Sequence, residues 1–142
     1  MVIMKLIFVV LFACALATQV DTIDYLSQTS LGQTCKKDSV FAVNNFQVSP
    51  WPVTPAVQMQ ISMAGTFDKE SYIACIEVRT KFNGGKWVYK YFDVGQNFPY
   101  GAAYTFTAAI SSGTAAGEYT EEVSLQKKQG DSVSCWTYTY HI

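Results

Sequence analysis

The sequence has only one histidine, His141, which is the penultimate residue. A Ser-His-Asp triad is therefore poorly supported, and a metal site built on two imidazoles of one chain is excluded. Charged residues make up 15% of the chain, below the usual quarter, and the formal net charge is −1. Because the basic residues form no cluster, we do not expect nucleic acid to be a partner.

The chain also lacks the other common signatures of catalysis. No glycine-rich loop suits a phosphate group, because Gly84-Gly85 is better explained as a turn. No motif proposes a pair of carboxylates for glycoside hydrolysis, and Glu118, Glu121 and Glu122 are expected to face solvent near the start of a strand. The sequence therefore predicts a protein that is not an enzyme, with no catalytic residue, no cofactor and no metal site.

Long apolar runs are confined to the beginning of the chain. Lys5 precedes an unbroken apolar run over residues 6–17 that closes on Ala15-Leu16-Ala17, a small-x-small pattern that suits signal peptidase. This pattern predicts a secretory signal peptide over residues 1–17 and a mature chain that begins at Thr18. An anchor that stays attached is the weaker alternative, because the run is short for a membrane span.

Cysteines are few, and their number is odd once the signal peptide is removed. Cys35, Cys75 and Cys135 remain. Cys35 and Cys135 flank the domain, and a disulfide between them would close a loop of roughly 100 residues and constrain the unfolded chain by about 4–5 kcal/mol. We therefore predict that pair, and we expect Cys75, in the middle of a strand, to be a buried free thiol.

The mature chain shows the period-two alternation of strands and no helical periodicity. Asn83-Gly84-Gly85 is a hairpin signal. Three strands are clearest, with alternating side chains at Val57, Met59, Ile61 and Met63; at Tyr72, Ala74, Ile76, Val78 and Phe82; and at Trp87, Tyr89 and Tyr91. Seven strands in all predict an all-β, immunoglobulin-like sandwich of two antiparallel sheets over residues 35–142, after a loose N-terminal arm over residues 18–34.

Aromatic residues are abundant, at 15% of the chain. This excess fits a tightly filled core, an exposed aromatic platform that stacks sugars, or an apolar pocket between the sheets. Trp87, Tyr89 and Tyr91 share one face of a strand and are the candidate platform. Met59 and Met63 are adaptable side chains that suit a pocket slightly better than a rigid core. Alternation alone leaves all three readings open.

Four short motifs, in this order and spacing, resemble the ML (lipid-recognition) domain family, which includes the Niemann–Pick type C intralumenal sterol carriers and the group 2 mite allergens. They are Cys35 soon after the mature start; the proline segment Ser49–Pro55; Asn97-Phe98-Pro99 followed by Tyr104-Thr105-Phe106; and Ser134-Cys135-Trp136. The resemblance covers residues 35–142.

The resemblance implies two packed sheets with an apolar cavity between them that carries a lipid, either a sterol or a phospholipid. It supports the Cys35–Cys135 bond, a monomer, transient contact with membrane surfaces, and a secreted or endolysosomal location. Residues expected to bind the lipid are Val57, Met59, Ile61, Ile76, Val78, Phe98, Pro99, Tyr104, Phe106 and Trp136. Trp136 is also a candidate for sealing the core.

The sequence lacks two disulfide bonds that relatives in the family have. Relatives have cysteines where this chain has Trp51 and Ala56, and again at Phe92 and Phe98. We expect Trp51 to pack over the proline segment in place of the missing disulfide. The sequence does not choose the lipid class, and it leaves two competing functions: an extracellular lipid-sensing module and a carbohydrate-binding module, both without carrier activity.

Overall fold

A computed structural model describes residues 31–142 of the chain. The predicted signal peptide and residues 18–30 of the predicted arm lie outside the described residues. Strands make up the described fold, and their ranges are β1 Gln33–Thr34, β2 Phe41–Ser49, β3 Gln58–Phe67, β4 Ser71–Phe82, β5 Trp87–Phe98, β6 Ala103–Ser111, β7 Glu118–Gln126 and β8 Ser132–His141. Within residues 31–142 we find no helix with the length and apolar character needed to cross a membrane.

The strands form two antiparallel sheets. One has the order β1-β8-β7-β4-β5 and the other has the order β2-β3-β6. The predicted β-sandwich is therefore confirmed, and an apolar cavity between the sheets stays a prediction. The described residues contain one strand more than expected, because Gln33 and Thr34, at the end of the predicted arm, pair with Thr137 and Trp136 of β8.

The alternation of apolar and polar residues explains which side chains are buried in most strands. In β3 the side chains of Met59, Ile61 and Met63 are buried, whereas Gln58 before them and Gln60 between the first two are exposed. This is the pattern of a strand with one face toward a core. The turn between β4 and β5 uses positive φ angles at Asn83 and Gly84, as the hairpin signal predicts.

A register shift between β4 and β5 corrects one predicted face. Between the pairs Ile73–Gln96 and Cys75–Asp93, the single residue Ala74 of β4 lies opposite Val94 and Gly95 of β5, and the buried positions of β4 change parity there. Tyr72, which alternation placed on the same face as Ile76, is exposed, and Ile73 is fully buried instead. The predicted inner face of β4 is therefore wrong at Tyr72, near the start of the strand, and right from Ile76 onward.

The predicted disulfide is confirmed. Cys35 and Cys135 are bonded with their Cα atoms 5.0 Å apart, and Cys75 is a buried free thiol. Burial raises the pKa of Cys75, and the nearby charges of Glu77 and Asp93 raise it further. A disulfide across the whole domain indicates an oxidising compartment rather than the cytosol.

The proline segment is held by contacts that the sequence did not predict. Trp51 remains 37% exposed, whereas Val53 is buried in the core. Ser112 fastens the segment, because its hydroxyl donates to the carbonyl of Thr54 at 2.7 Å and accepts from the backbone N–H of Val57 at 3.0 Å. Burial of Val53 and these hydrogen bonds hold the crossing, and packing of Trp51 over it stays a prediction.

Candidate functional site

The two sheets are open toward each other along one edge. β5 is the last strand of the five-stranded sheet, β6 is the last strand of the three-stranded sheet, and no ladder joins them in the described residues. We call the gap between β5 and β6 the seam. An open gap of this kind gives access to the apolar space between two packed sheets.

Two clefts lie along the seam. The larger has a volume of about 450 Å³ and is lined by residues of β4, β5, β7 and the end of β6, including Thr80, Val88, Lys90 and Ile110. The smaller has a volume of about 250 Å³ and includes Phe92, Tyr104 and Phe106 among its lining residues.

Most of the predicted lipid-binding residues belong to one apolar cluster, the core between the two sheets. Its buried members from our prediction are Met59, Ile61, Ile76, Val78, Phe98, Phe106 and Trp136, and Val57 packs against it. Tyr104 is partly exposed at the mouth of the smaller cleft. Pro99 is exposed on the connection between β5 and β6.

Aromatic rings fill one end of this cluster. The ring of Phe98 lies 4.7 Å from that of Phe67, 5.4 Å from that of Phe106 and 4.8 Å from that of Tyr104. Phe41 joins them, 4.8 Å from Phe67. We call these five residues the aromatic end. Tyr104 is its exposed member, so this end reaches the surface at the seam.

Trp136 lies at the other edge of the sandwich from the seam. Its Nε1 donates to the carbonyl of Leu31 at 2.7 Å, and its ring stacks on Phe46 at 5.8 Å. It also lines a separate cleft of about 300 Å³ with Lys36 and Lys37. The geometry therefore assigns Trp136 to the closed side of the core, away from the two seam clefts.

A polar row crosses the inner face of the five-stranded sheet near the larger cleft. Thr80 of β4 is the register partner of Glu121 of β7, and Glu121 is the register partner of Tyr138 of β8. Register partners in antiparallel strands project to the same face. We call these three residues the polar row, and Tyr140 lies beside it.

Glu121 corrects a sequence-based expectation. It was expected to face solvent, but it is 0% exposed. Its Oε2 accepts from the hydroxyl of Thr80 at 2.7 Å, and its Oε1 accepts from the hydroxyl of Tyr140 at 3.4 Å. The sequence did contain a signal: Glu121 is two residues from Tyr119 and two from Val123, so in a strand all three side chains project to the same, buried face of β7.

Burial sets the acidity of this group. Removal from water raises the pKa of Glu121 to about 7, against the opposing effects of the hydrogen bonds from Thr80 and Tyr140 and of the charge of Lys90. Burial, followed by the charge of Glu121, also raises the pKa of Tyr138. The interior near the larger cleft thus contains a carboxyl group that gains a proton close to neutral pH.

The outer face of the same sheet carries a second aromatic group. As predicted, Trp87, Tyr89 and Tyr91 share one face, and the rings of the two tyrosines are parallel within 8° at 6.5 Å. The Trp87 ring lies 4.6 Å from the guanidinium carbon of Arg79 and 4.4 Å from Nζ of Lys81. We call Trp87, Tyr89 and Tyr91 the outer aromatic face.

A family model described as the ML domain matches residues 31–142, the whole of the described fold. The chain belongs to the ML-domain family. The ML domain is a lipid-recognition module, so the family assignment makes this a lipid-binding type of domain.

Two solved structures resemble this ML domain in fold. A Niemann–Pick type C2 protein from the Japanese carpenter ant has a TM-score of 0.59 at 10% identity, over 80% of this chain and 99% of that one. The C-terminal domain of wzt has a TM-score of 0.63 at 12% identity, over 79% of this chain and 81% of that one. A comparison with curated protein sequences gives no match.

Proposed function

We propose that this ML domain is a secreted or lumenal lipid carrier that holds a sterol or a phospholipid between its sheets. The observation that carries the proposal is a continuous apolar core that reaches the surface along an unpaired seam. A lipid that parts the sheets there exchanges its contact with water for contact with the core. The site needs no catalytic group.

The expected energy is adequate for a carrier. Burial of about 400 Å² of apolar ligand surface contributes on the order of 10 kcal/mol before costs. Loss of ligand freedom and separation of the packed sheets reduce this figure substantially. Tight binding and release at a membrane are both compatible with that balance.

The connection between β5 and β6 is the proposed membrane contact. Tyr100 is 78% exposed on this connection, and it lies next to Pro99 and close in sequence to the aromatic end. Tyrosine suits the boundary between head groups and acyl chains because its ring is apolar and its hydroxyl is polar. Transient insertion of this connection would bring the seam to the bilayer surface.

Native mass spectrometry after expression through an oxidising secretory route tests the proposal. We expect a co-purifying lipid mass, or uptake of labelled sterol or phospholipid from vesicles after delipidation. Those two labels also identify the lipid class. A folded protein that takes up neither label would overturn the proposal.

A matched pair of variants locates the site. Tyr104 on the seam and Tyr72 on the outer face are similarly exposed, at 41% and 45%. We expect Tyr104→Ala to weaken lipid uptake several-fold and Tyr72→Ala to leave it unchanged. Equal effects of both variants would place the lipid elsewhere.

The outer aromatic face supports a second candidate, a carbohydrate-binding module. Tyr89 and Tyr91 are exposed and parallel, which suits the stacking of successive sugar rings. Retardation of the protein in gels that contain polysaccharide, lost in Tyr91→Ala, would support this function. If the protein is retarded in this way and carries no lipid, carbohydrate binding is the better assignment.

A further inference from the structure

The polar row interrupts an interior that is otherwise apolar. The neighbouring row of register partners is Val78, Val123 and Trp136, and the three-stranded sheet that faces it contains no charged residue. The row begins at Thr80, which lines the larger cleft, and continues inward to Glu121 and Tyr138. A polar group that enters through this cleft therefore meets the row first at Thr80.

The hydrogen bonds of the row are incomplete. Thr80 and Tyr140 each donate to Glu121. The hydroxyl of Tyr138 is buried with no hydrogen-bond partner among the described residues, and the whole residue is only 3% exposed. Buried hydroxyl groups in folded proteins nearly always have a partner, so an unpaired one indicates that something else supplies the acceptor.

The charges around the row favour an uncharged partner. The titratable groups that face Glu121 are Tyr138 and Tyr140 from β8 and Lys90 from β5. Lys90 is exposed at the cleft mouth with Lys86, so no cation of the described residues lies within the row. An anionic head group placed beside Glu121 would meet a carboxyl group without a counter-charge.

We propose that the polar row binds the uncharged hydroxyl group of a lipid alcohol, a sterol or a long-chain alcohol. The ligand oxygen accepts a hydrogen bond from Tyr138 and its proton is donated to Glu121. This inference rests on the proposed carrier function and adds to it the orientation and the chemical class of the ligand.

The remaining interior suits the hydrocarbon part of such a ligand. Thr80 and Ile73 are seven positions apart on β4, which separates the polar row from the aromatic end by roughly 20 Å. Between them β4 and β7 present Ile76, Val78, Val123 and Leu125, all buried. A lipid alcohol with its hydroxyl at the row would lie along these side chains toward Phe98.

The test compares 1-hexadecanol with 1-chlorohexadecane, which has a chain of the same length without the hydroxyl. Each competes with the fluorescent probe N-phenyl-1-naphthylamine on the delipidated protein. We expect the alcohol to bind about tenfold more tightly than the chloroalkane, the ratio of one good hydrogen bond. Palmitate, with its anionic head group, is expected to bind more weakly than the alcohol.

Tyr138→Phe isolates the hydroxyl of the row. We expect the alcohol-to-chloroalkane ratio to fall to near one while the affinity for the chloroalkane is unchanged. The unliganded variant should unfold at the same or a higher temperature, because the deleted hydroxyl had no partner. Tyr72→Phe, which removes an exposed hydroxyl from the outer face, should keep the wild-type ratio.

The outcomes separate this inference from the carrier function. If both alkyl ligands displace the probe equally from the wild type, if palmitate binds more tightly than the alcohol, or if Tyr138→Phe keeps the full ratio, the row does not select a hydroxyl and the carrier function stands. If neither the probe nor any ligand binds, the carrier function itself fails.

Discussion

The two ends of the interior were built from the same alternating strands but differ in chemistry. At the aromatic end, Phe67, Phe98 and Phe106 contact one another and contribute only apolar surface. At the other end, Thr80 and Glu121 place hydrogen-bonding groups on the inner face. Burial of aromatic rings stabilises the fold at one end, and at the other end the polar row is the group that we propose distinguishes among ligands.

The largest expected effect is at the aromatic end. Phe106→Ala removes a buried ring that contacts Phe41 and Phe98, and we expect the free energy of unfolding to fall by about 3–5 kcal/mol. Denaturant titration measures this, with Tyr72→Ala as the exposed control. A loss below about 1 kcal/mol would show that the aromatic end repacks easily, and the contrast between the two ends would disappear.

The polar row should make stability depend on pH. The folded pKa of Glu121 is about 7, above the unfolded value of 4.5, so the folded state keeps a proton that the unfolded state has already lost. This stabilisation is complete below pH 4.5 and is lost as the pH rises through 7, by about 3 kcal/mol in all.

Denaturant titrations at several pH values test this effect with two variants. Glu121→Gln should abolish the loss of stability between pH 4.5 and 7. Glu118→Gln, at an exposed position of the same strand, should retain it. A wild-type protein whose stability stays constant or rises over this range would show that Glu121 is already ionised in the folded state.

The smallest expected effect is kinetic and concerns the surface near the aromatic end. Tyr100→Ser should slow lipid transfer between vesicles a few-fold without changing the equilibrium affinity or the stability, because Tyr100 contributes to membrane contact and not to the core. Transfer of a fluorescent lipid from donor to acceptor vesicles measures this, and Tyr72→Ser is the control. A parallel loss of affinity would place Tyr100 at the ligand instead.

The sequence predicted the parts of the fold that depend on local pattern. Alternation in β3 and the Asn83-Gly84 turn were read correctly because each depends on neighbours in sequence. The register shift next to Ile73 was not predicted, because the extra residue lies in the partner strand β5 and alternation within β4 carries no sign of it. Tyr72 was placed on the wrong face for that reason.

The candidate site was predictable only in part. Burial of the apolar strand faces followed from alternation, whereas their role in binding a lipid stays a prediction. The seam depends on which strands become sheet edges, and that is a property of the whole topology. Glu121 was predicted wrongly because it was grouped with Glu118 and Glu122 as one set of solvent-facing acidic residues, whereas only those two are at least partly exposed. The two-residue spacing from Val123 was the better guide, since every second side chain of a strand projects to the same face whatever its polarity.

The Cys35–Cys135 bond has a consequence for cleavage of the backbone. Cys35 directly follows β1, which pairs with β8, so the bond joins two neighbouring parts of the five-stranded sheet and does not link the two sheets. Residues 36–134, including both strands that border the seam, lie inside the closed covalent loop. A single cut in the connection between β5 and β6 would therefore leave two fragments that stay joined until the disulfide is reduced.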